Sequence, residues 1–167
     1  MIIPMNFIRS CIQKPASPAV MDYALCFLRI VIGALYVGHG IPKLIGGPAL
    51  WLQVGTPIAL VGVHVVPMFW GFLAGCAETF GGLSLVLGFG TRLAAIPLTC
   101  TMIVASILHL TDGSAYHVYA FPLTLLAVCI TFLCVGSGTF SLDYYFYRRQ
   151  KQASDYHPLM NRPEDYL

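Results

Sequence analysis

Apolar residues run along this chain in blocks of membrane-crossing length, separated by short breaks rich in glycine, proline and polar residues. A helix that spans a bilayer needs about 20 mostly apolar residues. The first block predicts a span from Asp22 to Ile45, with Asp22 favouring its N-terminus and Gly46-Gly47-Pro48 ending it. The apolar stretch from Trp51 to Gly88 is too long for one span. Pro67 divides it, because proline breaks the backbone hydrogen-bond ladder. Residues 51–66 are therefore expected as a partly helical outer loop at the interface, and 68–87 as the second span. After the turn Gly88-Phe89-Gly90-Thr91-Arg92, a third span is expected over 93–110. Thr111-Asp112-Gly113-Ser114 is a loop signal, and a fourth span over 118–135 ends at Gly136-Ser137-Gly138. The fold class is an all-α integral membrane four-helix bundle over 22–145, flanked by a tail or linker at 1–21 and a basic tail at 146–167.

Composition agrees with this pattern. The chain is 57% apolar and 10% charged, too few charges to coat a water-soluble domain, where about 25% is usual. A net charge of +2 offers nucleic acid nothing to bind, so the lipid bilayer is the expected partner. Asn6, Arg9, Gln13 and Lys14 interrupt the first apolar stretch, so these residues do not read as a cleaved signal. Cys11, Cys26, Cys76, Cys100, Cys129 and Cys134 form no C-x-x-C pair. Most sit in apolar runs, where cysteine behaves as a small hydrophobe.

Charge also orients the bundle. Four spans put Arg9, Lys14, Arg92, Arg148, Arg149, Lys151 and Arg162 on one side and only Lys43 on the other. The excess of lysine and arginine marks the cytoplasmic side, so both termini are expected in the cytoplasm. The aromatic run Tyr144-Tyr145-Phe146-Tyr147 before Arg148-Arg149 reads as an interfacial anchor on that face.

Charges inside a span are costly and face the bundle interior. Arg29 and Glu78 are two such residues, on spans that run in opposite directions. Counted from the cytoplasmic face, their heights differ by roughly 5 Å at ~1.5 Å per residue, so an Arg29–Glu78 ion pair is expected between the first two spans. Arg29, Gly33, Tyr36, Gly40 and Lys43 recur on one helical face, as do Gly71, Gly75, Glu78 and Gly82 on the next. Small residues at that spacing let helices approach closely in lipid. Arg29 and Glu78 have three readings: a lock between helices, a functional pair for substrate, proton or quinone contact, or a Glu78 that stays protonated and unpaired.

His39, His64, His109 and His117 fall on the outer side, and His157 in the inner tail. Tyr36, His39, Lys43 and His109 are candidate substrate- or proton-facing residues. His39 and His109 are weak candidates for a metal or haem, but no H-x-x-x-H or E-x-x-H spacing accompanies them, so interfacial structural histidines are the favoured reading. No catalytic residue stands out.

The ordered motifs resemble the DoxX family of small four-helix bacterial membrane proteins. They are Leu28-Arg29-Ile30 with Gly33, His39-Gly40-Ile41-Pro42-Lys43-Leu44, and Phe69-Trp70-Gly71-Phe72. Glu78-Thr79-Phe80-Gly81-Gly82-Leu83, Leu87-Gly88-Phe89-Gly90-Thr91-Arg92 and Gly136-Ser137-Gly138-Thr139-Phe140-Ser141-Leu142-Asp143 follow in order. The resemblance implies that Arg29, His39, Lys43, Glu78, Arg92 and His109 are recurrent polar positions. Where many relatives carry a carboxylate in the fourth span, this chain has Thr124, which leaves Glu78 as the only acid within a span. The resemblance further implies a redox-associated membrane subunit, linked to quinone or to oxidative stress and working with a soluble or membrane oxidoreductase. With no cofactor-binding motif of its own, the chain is expected to act, if as an enzyme at all, only as a subunit of a quinone-linked oxidoreductase. A structural or assembly subunit is the first alternative. A small-solute or proton transporter, with the Gly71/Gly75 face permitting a homo-oligomer, is the second.

Overall fold

The computed structural model describes residues 16–160, with side chains through residue 154. Asn6, Arg9, Cys11, Gln13, Lys14 and Arg162, used above, lie outside the described residues, as does the side chain of His157. Helix α1 spans Pro18–Ile45, α2 spans Gly47–Gly55, and a 3-10 turn covers Thr56–Val61. Helices α3 (Pro67–Leu87), α4 (Thr91–Thr111), α5 (Tyr116–Val135) and α6 (Leu142–Met160) follow. The fold is all-helical among the described residues, and α1, α3, α4 and α5 are long and apolar enough to cross a membrane.

Two boundaries differ from expectation for local reasons. The first span starts at Pro18, because the Ser17 hydroxyl accepts the Val20 N–H (3.4 Å) and proline occupies the first turn, a favoured N-terminal arrangement. Asp22 serves a different element: its carboxylate accepts the Thr139 N–H at 3.2 Å. Beyond the bundle, the basic tail is helical through residue 160, as the continuation of α6.

The spans alternate in direction, so α6 and the 88–90 turn lie at one end and α2 with the 3-10 turn at the other. Helices α1 and α3 form the closest pair, followed by α4 with α5 and α2 with α3. Glycine makes the first approach. A Cβ on Gly82 would stand 2.7 Å from the Gly33 carbonyl oxygen and 2.8 Å from Tyr36 Cβ. At the other end, Gly71 packs on the Trp51 carbonyl and Gly75 on Lys43 and Leu44. The Gly71/Gly75 stripe is thus consumed inside the chain by α2 and the end of α1, and does not serve as a free face for oligomerisation.

The buried apolar core is concentrated in the α6 half. Ile32, Leu85, Ala95, Leu98, Cys129 and Phe132 meet there. Outward positions such as Phe27, Leu83, Leu93 and Ile130 are exposed and apolar, as a lipid-facing surface requires.

Backbone contact at Gly82 leaves no flexible neighbour to yield, whereas a Cβ on Gly38 meets nothing within 4 Å. We therefore expect Gly82→Ala to destabilise the detergent-solubilised protein by about 1–3 kcal/mol. Gly38→Ala, on an open helical face, should be neutral or slightly stabilising. Thermal unfolding followed by size-exclusion chromatography separates the two; equal melting temperatures would refute the close approach.

Candidate functional site

Glu78 is buried in the bundle, 3% exposed at its side chain. Its cation is Lys43, not Arg29. The Lys43 Nζ donates to Oε1 at 2.6 Å and Oε2 at 2.7 Å. The expected Arg29–Glu78 pair is therefore corrected, and helix register explains why. Gly40 faces Thr79, and Gly33 faces Gly82 and Val86. Arg29 lies three turns from Gly40, roughly 16 Å at ~1.5 Å per residue. An Arg29–Glu78 pair would require α1 and α3 to begin and end level with each other. In fact α2 continues beyond α1 and packs on the first turns of α3, which carries Glu78 down to the level of Lys43.

The same elements hold Lys43 in place. It sits in the last turn of α1, just after Pro42. Trp51 of α2 donates its indole N–H to the Lys43 carbonyl at 2.9 Å, satisfying one of the acceptors that a helix C-terminus leaves open.

Arg29 does other work in the α6 half. It is 2% exposed and donates to the carbonyls of Ser137 (2.7 Å) and Phe140 (2.6 Å). Its guanidinium lies against Gly88, where a Cβ would collide with it. Asp143, at the start of α6, accepts the Gly90 N–H at 2.7 Å and the Thr91 N–H at 3.1 Å, capping α4. Arg92 adds a bond to the Cys134 carbonyl at 3.1 Å. The glycine-rich 136–143 motif thus ties three segments together around one arginine.

Two cavities occupy the α2 half. The larger, about 610 Å³, lies between α3, α4 and the α2/3-10 segment, with Trp70, Leu73, Ile96, Pro97 and Val104 among its walls. Leu73 and Ile96 are also part of the exposed apolar surface, so this cavity borders the lipid face. The smaller, about 290 Å³, lies between α1, α4 and α5 and is lined by Tyr36, His39, Phe121 and Leu125. Lys43, Glu78, Ala105 and His109 line both. The ion pair and His109 are the partition.

Donor geometry assigns the histidine nitrogens. His39 Nδ1 lies 2.9 Å from the Leu35 carbonyl, which can only accept, so Nδ1 carries the proton and Nε2 is free. His39 is exposed, and its ring lies 5.4 Å from that of Phe121. His109 Nδ1 is 3.3 Å from the Ser114 hydroxyl, which itself donates to Asp112 at 2.5 Å. Ser114 therefore accepts from His109, and His109 Nε2 remains available. The Asp112 carboxyl is held below the usual carboxylate range by hydrogen bonds from the Ser114 hydroxyl and N–H. Tyr36 is 1% exposed, with its hydroxyl 3.0 Å from Cys129 Sγ.

Tyr36, His39, Lys43, Glu78 and His109 are thus brought together, while Arg29, Arg92, His64 and His117 line neither cavity. Among the described residues, no three His, Cys, Asp or Glu side chains form a metal-holding group. Thr124 is exposed and bonds back to the Ala120 carbonyl at 2.8 Å, turned onto its own helix. Sequence reasoning named Lys43 but missed its partner; the shared Gly40–Lys43 and Gly75–Glu78 spacing was the signal available.

The family model DoxX matches residues 24–111, which run from the second turn of α1 to the end of α4. An uncharacterized protein of Haemophilus influenzae is 30% identical over 76% of this chain and 93% of its own length. An uncharacterized membrane protein of Mycobacterium tuberculosis is 29% identical over 70% of this chain and 77% of its own length. No solved structure matches the chain.

Removing Lys43 strands a buried carboxylate, a loss of about 3–5 kcal/mol, whereas removing Glu78 costs less because the Lys43 side chain is 29% exposed and reaches water. Lys43→Met should therefore lower thermal stability more than Glu78→Gln or the double variant does; additive losses in the cycle would rule the pair out. Arg29→Lys should also accumulate poorly, because an ammonium cannot span two carbonyls as the planar guanidinium does. Unchanged membrane levels of Arg29→Lys would overturn the clamp.

Proposed function

The chain belongs to the DoxX family, and from that premise we propose that it is a redox-associated membrane subunit that takes a lipid-soluble quinone into its larger cavity. The observation that carries this reading is the cavity itself. About 610 Å³ of mostly apolar space borders the lipid face, with Lys43, Glu78 and His109 on the wall shared with the smaller cavity and Gln53 and Thr101 elsewhere in its lining. Such proportions, apolar walls with a few convergent polar groups, suit a small ligand. An amphipathic ring on an isoprenoid tail has the same distribution of polarity.

Residue chemistry supports the ring end. An ammonium has three N–H groups; Lys43 directs two at Glu78 and keeps one for a quinone carbonyl. His109 Nε2 can accept from a quinol hydroxyl. When bound, the quinone supplies reversible two-electron chemistry; the chain's residues hold and orient it and keep water from its tail. The electrons come from a partner oxidoreductase. The second reading, a structural or assembly subunit, is supported by the Arg29–Asp143 network, which needs no ligand to be useful.

Protein purified in mild detergent should carry a bound quinone, and added short-chain quinone should quench Trp70, which lines the cavity. His109→Ala should weaken that binding by roughly tenfold, the loss of about 1–1.5 kcal/mol expected for one hydrogen bond. A folded, monodisperse preparation that neither contains nor binds quinone would leave the structural reading standing. In the membrane we further propose that the α6 end faces the cytoplasm of a bacterial inner membrane, on the strength of Arg92, Arg148, Arg149 and Lys151 at that end and Lys43 alone at the other. Reporter fusions after Lys151 should be active only as cytoplasmic reporters; a periplasmic signal would invert the assignment.

A further inference from the structure

We propose that Glu78 is a proton-exchange group that connects the larger cavity, through the smaller one, to the α2 end of the molecule only. The inference deepens the ligand-site reading but stands on separate geometry. Glu78 and Lys43 line both cavities, so a proton bound on the carboxylate is within reach of either. Toward the α6 end the way is shut: Leu85, Leu98, Cys129 and Phe132 are fully buried there, and Arg29 closes the end with its carbonyl bonds. Toward the α2 end the smaller cavity leads past Tyr36 to the exposed His39. About 290 Å³ has space for several waters at roughly 30 Å³ each.

The step balances without a redox partner. An O–H bond of hydronium, or of a hydroxyl in the larger cavity, breaks, and an O–H bond forms on a Glu78 oxygen. Neutralising the carboxylate reduces the Lys43 attraction from an ion pair to a hydrogen bond. Lys43 stays an ammonium and is already 29% exposed, so its long side chain can follow water toward the α2 end while the proton leaves by the smaller cavity. The groups facing Glu78 are Tyr36, His39 and Lys43 from α1 and His109 and Cys100 from α4. The α2/3-10 segment and α5 contribute no titratable side chain to either cavity.

The test is infrared spectroscopy of the full chain in lipid nanodiscs, after solvent extraction of any co-purified quinone and with none added. Lowering the pH should raise a carboxylic-acid C=O band that is missing from Glu78→Gln and from the doubly neutral Lys43→Met/Glu78→Gln, the second variant guarding against misfolding of the first. Transfer to D2O should shift the band. Val118→Trp, which fills the smaller cavity, should slow that shift by roughly tenfold or more, whereas Val104→Trp in the larger cavity should leave it unchanged. No titrating band assignable to Glu78, or an exchange rate indifferent to Val118→Trp, overturns the proposal. Because no quinone is present, either result is independent of whether quinone binds.

Discussion

A carboxylate withdrawn from water among apolar helices persists in charged form only if a cation and hydrogen bonds replace its hydration. Glu78 meets that demand through Lys43, and much of the α2 half follows from it. The cation must come from the last turn of α1, so α1 has to end at that depth. The chain then needs α2, with Trp51 bonded to the Lys43 carbonyl, to cover the exposed helix terminus. Because α2 leans on α3 at Gly71, a gap opens toward α4, and that gap is the larger cavity. The pair is at once a fastening and a wall.

The opposite half solves a different problem. Arg29 is as deeply buried as Glu78, yet its partners are backbone carbonyls from the loop between α5 and α6. Those carbonyls are free because glycine turns at 136 and 138 interrupt the helix ladder. The loop in turn delivers Asp143 to the N-terminus of α4, where a negative charge suits the helix dipole. One half of the bundle is therefore sealed by apolar packing and a cation on carbonyls, and the other is left hollow around an ion pair. This asymmetry gives the molecule a direction. A ligand entering from the lipid and a proton leaving through the α2 end would share one partition.

The family match says where the chain belongs, and the relatives' descriptions stop at the membrane. Chemistry has to be argued from the partition: one spare ammonium N–H, one free imidazole nitrogen and one carboxylate at the end of an apolar cavity. The histidines exemplify how local context sorts similar residues. His39 and His109 both spend Nδ1 on local acceptors and line one or both cavities, whereas His64 and His117, at the same end, line neither.

Four spans, their order and their alternation were legible along the chain, because apolar length and glycine-proline breaks are local properties that lipid makes decisive. Arg29, Tyr36, Lys43 and Glu78 were legible as inward-facing residues for a similar reason: helical spacing assigns a face without reference to any neighbour. Which charge met which could not be read that way. Pairing depends on the vertical register of two helices, and register is fixed by contacts remote in sequence, here Gly33 on Gly82 and α2 on Gly71. The periodicity of α1 and α3 is unchanged by sliding one along the other, so the expected Arg29 gave way to Lys43 once backbone packing set the register. The cavities are likewise a remainder of tertiary packing, since empty space has no residue to announce it.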